Sequence, residues 1–453
     1  IMPQTREHLD ILTLMGVRRG LVALTKIDIV EAARVEEVRA QVREFVSGTF
    51  LESAPICPVS NLTGQGFDAF YDALEAEVEA CEGRSCSGLF RTWIADAFTI
   101  KGFGTVVTGI PSSGRVALGD QVFVIPGGEK GRVRRLEVYG EDAAEGRAGE
   151  CVAMNVPELD YTQIKRGMVL TCSDAVAPVT MIEGHLRLLR SFKGELKDNT
   201  ELHLHLGTAS VLARVAFLER EKMVADDSQM VQLRMTEPLG VVPGDRFVIR
   251  SSMAGTPEGR LVTIGGGRIL SVTNAKLRRR RPWTISTLVM RSAALDDAPA
   301  WTEQVLRESD RPLSVSEWAR RAFQSEHETS AIVETLCKDG RVVRSAAGTY
   351  VHVEQIELAS KGIISVLDML HSENPKRAGF SLQEVSQAMV VIGQPGTGIV
   401  AELGLARTPV ARPAGVGYVS AKRALSQDIF MVAVEKLAER GVLERRGDLI
   451  ARA

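Results

Sequence analysis

The segment Gly20-Leu21-Val22-Ala23-Leu24-Thr25-Lys26-Ile27-Asp28 constrains the fold most. An apolar run bounded by glycine ends on a lysine and a carboxylate two positions apart, then gives way to a charged helical pattern. A run of that length before a helix reads as a buried parallel strand, and open α/β sheets bind ligands at the carboxyl ends of such strands. Thr25, Lys26 and Asp28 are therefore placed at a ligand crevice. One carboxylate can accept both the N1–H and the exocyclic amine of guanine while the lysine stem lies along the base; adenine offers no such donor pair. Charge-assisted bonds of this kind contribute roughly 1.5–3 kcal/mol each, enough to choose between purines. A lone Lys-x-Asp at a strand end also serves simply to solvate a turn, and this segment alone leaves both readings open.

The second strand signal is Pro55-Ile56-Cys57-Pro58-Val59-Ser60-Asn61-Leu62-Thr63-Gly64-Gln65-Gly66, which opens into a polar turn and then a helical pattern of Phe67, Phe70, Leu74 and Val78. It is expected to bring Ser60 and the backbone amides of Asn61 and Leu62 beside the first strand's end, within reach of a base's O6. Thr25-Lys26-Ile27-Asp28 and Ser60-Asn61-Leu62 resemble the last two guanine-recognition motifs of the elongation factor Tu-like translational GTPases. Met2-Pro3-Gln4-Thr5-Arg6-Glu7-His8, with Leu9, Ile11, Leu12 and Leu14 at helical spacing, is similar to the segment after the second switch of that family. The family's catalytic histidine precedes this segment, so His8 is not assigned to catalysis.

No G-x-x-x-x-G-K-[ST] phosphate loop occurs in the sequence, and no Asp-x-x-Gly-His switch precedes Ile1. Phosphoryl transfer depends on the positioning of phosphates and Mg²⁺ by those parts. The resemblance thus implies GTP/GDP as cofactor, with Mg²⁺ in the complete protein. It also implies that this chain begins in mid-domain without signal or transit peptide, contains no catalytic residue, and hydrolyses no GTP by itself.

Length and composition agree with a multidomain globular protein: 453 residues give a soft prior of about three domains, and 45% hydrophobic with 25% charged residues is ordinary. No apolar stretch approaches the ~18 residues needed to cross a bilayer, so no membrane partner is expected. The 6 cysteines lack paired zinc spacing, which points to a reducing, cytoplasmic setting and no structural metal. A formal net charge of -2 confines any RNA contact to local patches.

From Leu89 to about Leu170 short β-rich runs alternate with glycine turns, the signature of an antiparallel barrel. The run Ala97 to Gly109, followed by Leu118-Gly119-Asp120, resembles domain 2 of elongation factor Tu. A second barrel is expected from Thr180 to Val272. His203 and His205 alternate there onto one strand face, without further Cys or acidic ligands to complete a metal site. Pro238-Leu239, Val242 to Arg250 and Thr263 to Leu270 resemble domain 3 of the selenocysteine-specific translation elongation factors.

Past the basic linker Lys276 to Pro282, Ser314-x-x-Glu317 and Ser381-x-x-Glu384 read as capping boxes. Ser330 to Asp339 and Gln427 to Arg440 read as helices ended by Gly340 and Gly441, each followed by a hairpin signal. Helices before a β-hairpin make a winged-helix module, so two are expected in tandem. This matches the C-terminal extension of the selenocysteine-specific factors, whose modules nearest the C-terminus bind the selenocysteine insertion hairpin of mRNA. The family usually carries four such modules, which implies that the terminal ones are missing here. Arg278, Arg279, Arg280 and Arg281 are candidates for RNA phosphate, or else a solvated linker.

The expected architecture is therefore part of an α/β G domain (1–82), two antiparallel β-barrels (88–176 and 178–275), and two winged helices (283–353 and 354–453). The resemblance implies delivery of selenocysteinyl-tRNA to the ribosome at recoded UGA codons, with GTP hydrolysis in the complete protein. A divergent translational GTPase with another tRNA ligand is the alternative. A winged-helix DNA regulator is disfavoured by Glu334 and Asp339 in the candidate recognition helix. One departure concerns the aminoacyl pocket. In the family an Asp-Arg pair commonly precedes x-Phe, its arginine serving the ionised selenol; here the positions read Ala95-Asp96-Ala97-Phe98, so either the alignment shifts by one residue, another basic group compensates, or the pocket has diverged and Asp96 weakens selection of a charged selenolate.

Overall fold

The computed structural model describes residues 1–84, 86–252, 261–279, 281–392 and 426–453. The chain opens with α1 (Pro3–Leu14), β1 (Val22–Leu24), α2 (Ala32–Val46), β2 (Ile56–Pro58) and α3 (Phe67–Glu79). The two strands pair in parallel, Val22 opposite Ile56 and Leu24 opposite Pro58, with α2 as the crossover. Leu9, Val42 and Val46 are buried beneath them, packed with Leu24, Phe45 and Ile56. Parallel pairing sends both strand ends to one edge, as the sequence requires for a shared crevice.

Ten strands follow: β3 (Arg91–Ile100), β4 (Gly104–Ser113), β5 (Arg115–Ala117), β6 (Gln121–Ile125), β7 (Lys130–Arg132), β8 (Arg135–Val138), β9 (Glu141–Asp142), β10 (Glu145–Arg147), β11 (Val152–Asn155) and β12 (Val169–Thr171). Eight of them form one sheet in the order β7-β6-β12-β3-β4-β11-β8-β9, while β5 and β10 pair separately. Ile94, Val107, Val116, Val122, Leu136, Met154 and Leu170 fill the space it encloses.

The next domain holds β13 (Val179–Leu188), β14 (Leu196–Lys197), β15 (Glu201–Leu206), β16 (Ala209–Phe217), β17 (Lys222–Met223), β18 (Ser228–Leu239), β19 (Arg246–Ser251) and β20 (Val262–Thr273). Six of these close into a barrel, β13-β18-β16-β15-β19-β20. Alternation along β15 buries Leu202, Leu204 and Leu206 and turns His203 and His205 outward.

The two β domains are riveted together. Arg91, 3% exposed, reaches Asp245 with both guanidinium nitrogens, and Thr208 Oγ1 donates to the Ile94 carbonyl at 2.7 Å. At Gly207 (φ +53) a Cβ would overlap the Trp93 ring, so the turn joining β15 and β16 needs glycine to seat against the neighbouring domain. On another side of the barrel, α1 docks through Glu7, which meets Arg250 at 3.0 Å and Thr263 Oγ1 at 3.1 Å, while Arg246 donates to the Leu14 carbonyl at 3.3 Å. Burial pushes Glu7 upward, but the bonds from Thr263 and Arg250 outweigh it and hold the carboxyl below its ordinary range.

The remaining elements are α4 (Pro282–Ala294), α5 (Ala298–Arg307), α6 (Val315–Ala322), α7 (Glu326–Lys338), β21 (Val342–Arg344), β22 (Tyr350–His352), α8 (Val353–Glu373), β23 (Phe380–Ser381), α9 (Leu382–Ile392), α10 (Gln427–Glu439), β24 (Leu443–Arg446) and β25 (Leu449–Arg452). Both hairpins follow their helices as expected, and Gly340 (φ +70) and Gly441 (φ +67) end α7 and α10 in the left-handed conformation.

Caps differ in detail from the sequence reading. Ser381 and Glu384 bond reciprocally, as a capping box does. At Ser314 only the hydroxyl half forms, at 3.2 Å to Glu317 N, because the Glu317 carboxylate is taken by Arg311 and Arg321. α7 starts before Ser330, from a full capping box between Ser325 and Glu328.

Candidate guanine-recognition site

The strand ends continue past their ladder: Val59 N donates to the Leu24 carbonyl at 2.8 Å. Beyond it Lys26 takes a left-handed conformation (φ 64), uncommon for a residue with a Cβ, and opens a single 3₁₀ turn over Ile27–Ile29. Asp28 is thereby returned toward the second strand. Ser60, fully buried, donates its hydroxyl to Asp28 Oδ1 at 2.6 Å and accepts the Thr63 amide at 3.2 Å. The turn around it is closed by Ser60 N to Gln65 O and Gly64 N to Ser60 O, both at 2.9 Å.

Ser60 is thus occupied, and reaches a bound base only by way of Asp28. It fixes one carboxylate oxygen and leaves Oδ2 of the exposed Asp28 without a protein partner among the described residues. Thr25, Lys26, Asn61 and Leu62 are exposed at the same edge, Leu62 by 84%. The amides of Asn61 and Leu62 have no protein acceptor among the described residues. The edge therefore presents an oriented carboxylate, a lysine stem and open N–H donors, the complement of a planar base with paired donors and a carbonyl. Sequence spacing gave no sign of the left-handed Lys26 or of the serine–aspartate clamp, since both depend on the two strand ends meeting.

Asp96 lies elsewhere, on β3, where the register with β4 shifts between Ile94 and Asp96. Such a bulge sets two residues against one and re-aims side chains. The exposed Asp96 carboxylate accepts the amide of Ala97 at 2.9 Å, and exposed Phe98 and Phe103 stand at the same hairpin. Of the basic linker, Arg279 donates to the Phe217 carbonyl at 2.9 Å and pairs with Asp198 at 2.7 Å, and Arg281 stacks over Trp283 with 5.2 Å to the ring centroid. Arg278 is exposed, and Arg280 lies outside the described residues. Burial, then the charges of Arg250 and His203, push His205 below the ordinary imidazole range. Among the described residues no cluster of three metal-ligating side chains occurs.

Residues 1–80 match the family model for the elongation factor Tu GTP binding domain, and residues 104–171 match elongation factor Tu domain 2. Residues 185–276 match the beta-barrel domain of the selenocysteine-specific elongation factor. The chain is 41% identical over 292 residues to the selenocysteine-specific elongation factor of Desulfomicrobium baculatum, covering 64% of this chain and 45% of that protein. With its namesake from Escherichia coli (strain K12) it shares 31% over 322 residues, 71% of this chain and 49% of that one. The chain thus spans about half the length of these curated relatives. A crystal structure of a bacterial selenocysteine-specific elongation factor has the same fold, with a TM-score of 0.65 and 20% identity over 100% of this chain and 64% of that one. The apo factor from Methanococcus maripaludis aligns with a TM-score of 0.53 and 26% identity over 61% and 62% of the respective chains. Three successive domain matches in family order, together with 41% and 31% identity to curated members over most of the chain, place the chain in the family of selenocysteine-specific elongation factors.

Proposed function

We propose that this chain carries the guanine-base half of a GTP-binding domain together with the tRNA-binding β domains of a translation factor, one that brings selenocysteinyl-tRNA to cytoplasmic ribosomes at recoded UGA codons. The observation that carries the reading is the Asp28–Ser60 contact, which presents a pre-aimed carboxylate at the carboxyl edge of two parallel strands. In this reading Asp28 accepts N1–H and the exocyclic amine of the base, Lys26 supports its face, and the amides of Asn61 and Leu62 donate to O6. Thr25 directly follows β1 and leads into the turn at Lys26.

The groups that hold phosphates and Mg²⁺ in such factors have no counterpart motif in residues 1–453, so no hydrolytic step is assigned to these side chains. We divide the chain at 1–82, 88–176, 178–275, 283–353 and 354–453. The insertion hairpin of the mRNA is the proposed ligand of the winged region, and the exposed Arg278 is a candidate phosphate contact. Two measurements test the proposal. With a phosphate loop supplied ahead of Ile1, the protein binds GDP in preference to ADP by calorimetry; equal binding removes the base assignment. The protein also protects selenocysteinyl-tRNA from deacylation in preference to seryl-tRNA on the same tRNA body, and a lack of protection for either removes the delivery role.

A further inference from the structure

The segment joining the nucleotide half to the first β domain does not run free. Gly114 N donates to the Ser87 carbonyl at 3.2 Å, and Ser113 Oγ donates to the Leu89 carbonyl at 2.7 Å, so the turn between β4 and β5 holds it on one side. The contact on the other side comes from a residue 240 positions later: Gly88 N–H points at the Glu328 carboxylate, 3.0 Å from each oxygen. Nearby, Arg320 of α6 meets Asp174 at 3.4 Å, a second link between the first winged module and the first β domain.

Glu328 is the third residue of α7 and half of its capping box, so its carboxylate is already fixed by Ser325 at 2.8 Å before it meets the strap. The first turn of α7 contains Glu326, His327 and Glu328 and no lysine or arginine. Two carboxylates at that end oppose the approach of nucleic-acid phosphates, whose contacts come chiefly from lysine, arginine and open backbone N–H groups. In the second module Arg440, Arg445, Arg446 and Arg452 follow α10, at its end and on its hairpin, while its first turn holds Asp428.

We propose that the first winged module is an intramolecular brace: the leading end of α7 grips the strap at Gly88 and so ties the nucleotide half's tether to the C-terminal region. The module in this role binds its own chain, and Glu328 is a positioning residue that limits how the nucleotide half swings relative to the β domains. Coupling of this kind needs a discrete contact that either forms or breaks, and a carboxylate on one backbone amide is such a contact.

Hydrogen exchange of the 453-residue chain, read by mass spectrometry on peptides spanning residues 86–90, tests the brace. Glu328→Ala accelerates exchange at Gly88 by about tenfold, the scale of one lost charge-assisted bond. Glu328→Gln, which keeps an acceptor oxygen, recovers most of the protection. Ser325→Ala removes the helix cap and one anchor of the Glu328 carboxylate but leaves the carboxylate itself within reach of Gly88, so exchange rises chiefly in the first turn of α7 and by clearly less than in Glu328→Ala in the strap. Wild-type strap exchange in Glu328→Ala overturns the proposal, as does equal acceleration in Ser325→Ala, which traces the protection to the cap.

Discussion

Asp28 and Ser60, 32 positions apart, are joined by a 2.6 Å hydrogen bond whose donor is fully buried and whose acceptor is exposed. The buried member holds the exposed one in a fixed aim, which is what preorganised recognition needs. With a phosphate loop supplied, Asp28→Asn lowers guanine nucleotide affinity on the order of 10- to 100-fold, because an amide cannot accept both donors of the base. Ser60→Ala keeps the carboxylate but frees its orientation, and costs affinity several-fold. Calorimetric titration with GDP measures both, and unchanged affinity in Asp28→Asn sinks the assignment.

The junction between the β domains rests on a charge pair taken almost out of water. Arg91 is 3% exposed and Asp245 12%, and the guanidinium is bound in two-pronged fashion. Removing one partner strands the other, which typically costs about 3–5 kcal/mol. Asp245→Ala therefore lowers the urea midpoint of the β domains markedly, whereas replacing both residues with apolar ones of similar volume costs much less. A shift of a few tenths of a kcal/mol in Asp245→Ala contradicts this account.

A pH effect follows from the seam between α4 and the barrel. Glu183 is buried on β13, where it accepts from Gln232 at 2.8 Å and faces the partly buried Arg291 of α4; Arg291 in turn pairs with Glu308, the acid that follows α5. With both carboxylates ionised this buried group carries one excess negative charge. Burial pushes Glu183 above the ordinary glutamate value, the bonds from Gln232 and Ser271 and the charge of Arg291 only partly opposing it. A carboxyl raised on folding stabilises most below its unfolded pKa, near 4.5, and that contribution is lost as pH rises through the folded value. Glu183→Gln, which mimics the protonated side chain, matches wild type near pH 4 and gains stability relative to it at pH 8. Chemical denaturation at the two pH values reads the difference, and a pH-independent difference refutes the linkage.

Pattern and spacing carried the architecture where the signal is local. The parallel strand pair, the glycine-punctuated β domains, the left-handed stops at Gly340 and Gly441 and the box at Ser381 are all written within a few residues of where they act. What escaped was non-local. Arg91 and Asp245 lie 154 positions apart, and Glu7 and Arg250 lie 243 apart; each looks like an ordinary surface charge until the domains meet. Ser60 stands beside Asp28, but its donation to the carboxylate depends on the reversal at Lys26, which no residue type announces. β7 and β8 stand as separate strands because Val133 and Arg134, between them, donate to the Asp120 and Asn155 carbonyls, partners that lie far from them in sequence.

Asp96 occupies a bulge on β3, exposed and held to the Ala97 amide, where the family pattern favours a cation. A selenol is ionised near neutral pH, and a carboxylate nearby raises the cost of that charge, whereas a guanidinium lowers it. Asp96→Arg therefore increases the ratio of protection of selenocysteinyl-tRNA over seryl-tRNA, and the gain shrinks in high salt because the site is exposed and screened. Because Asp96 makes no contact with the barrel interior, the variant keeps the wild-type unfolding midpoint, which separates a pocket effect from a folding defect. An unchanged ratio places the aminoacyl group away from this bulge and removes Asp96 from the pocket.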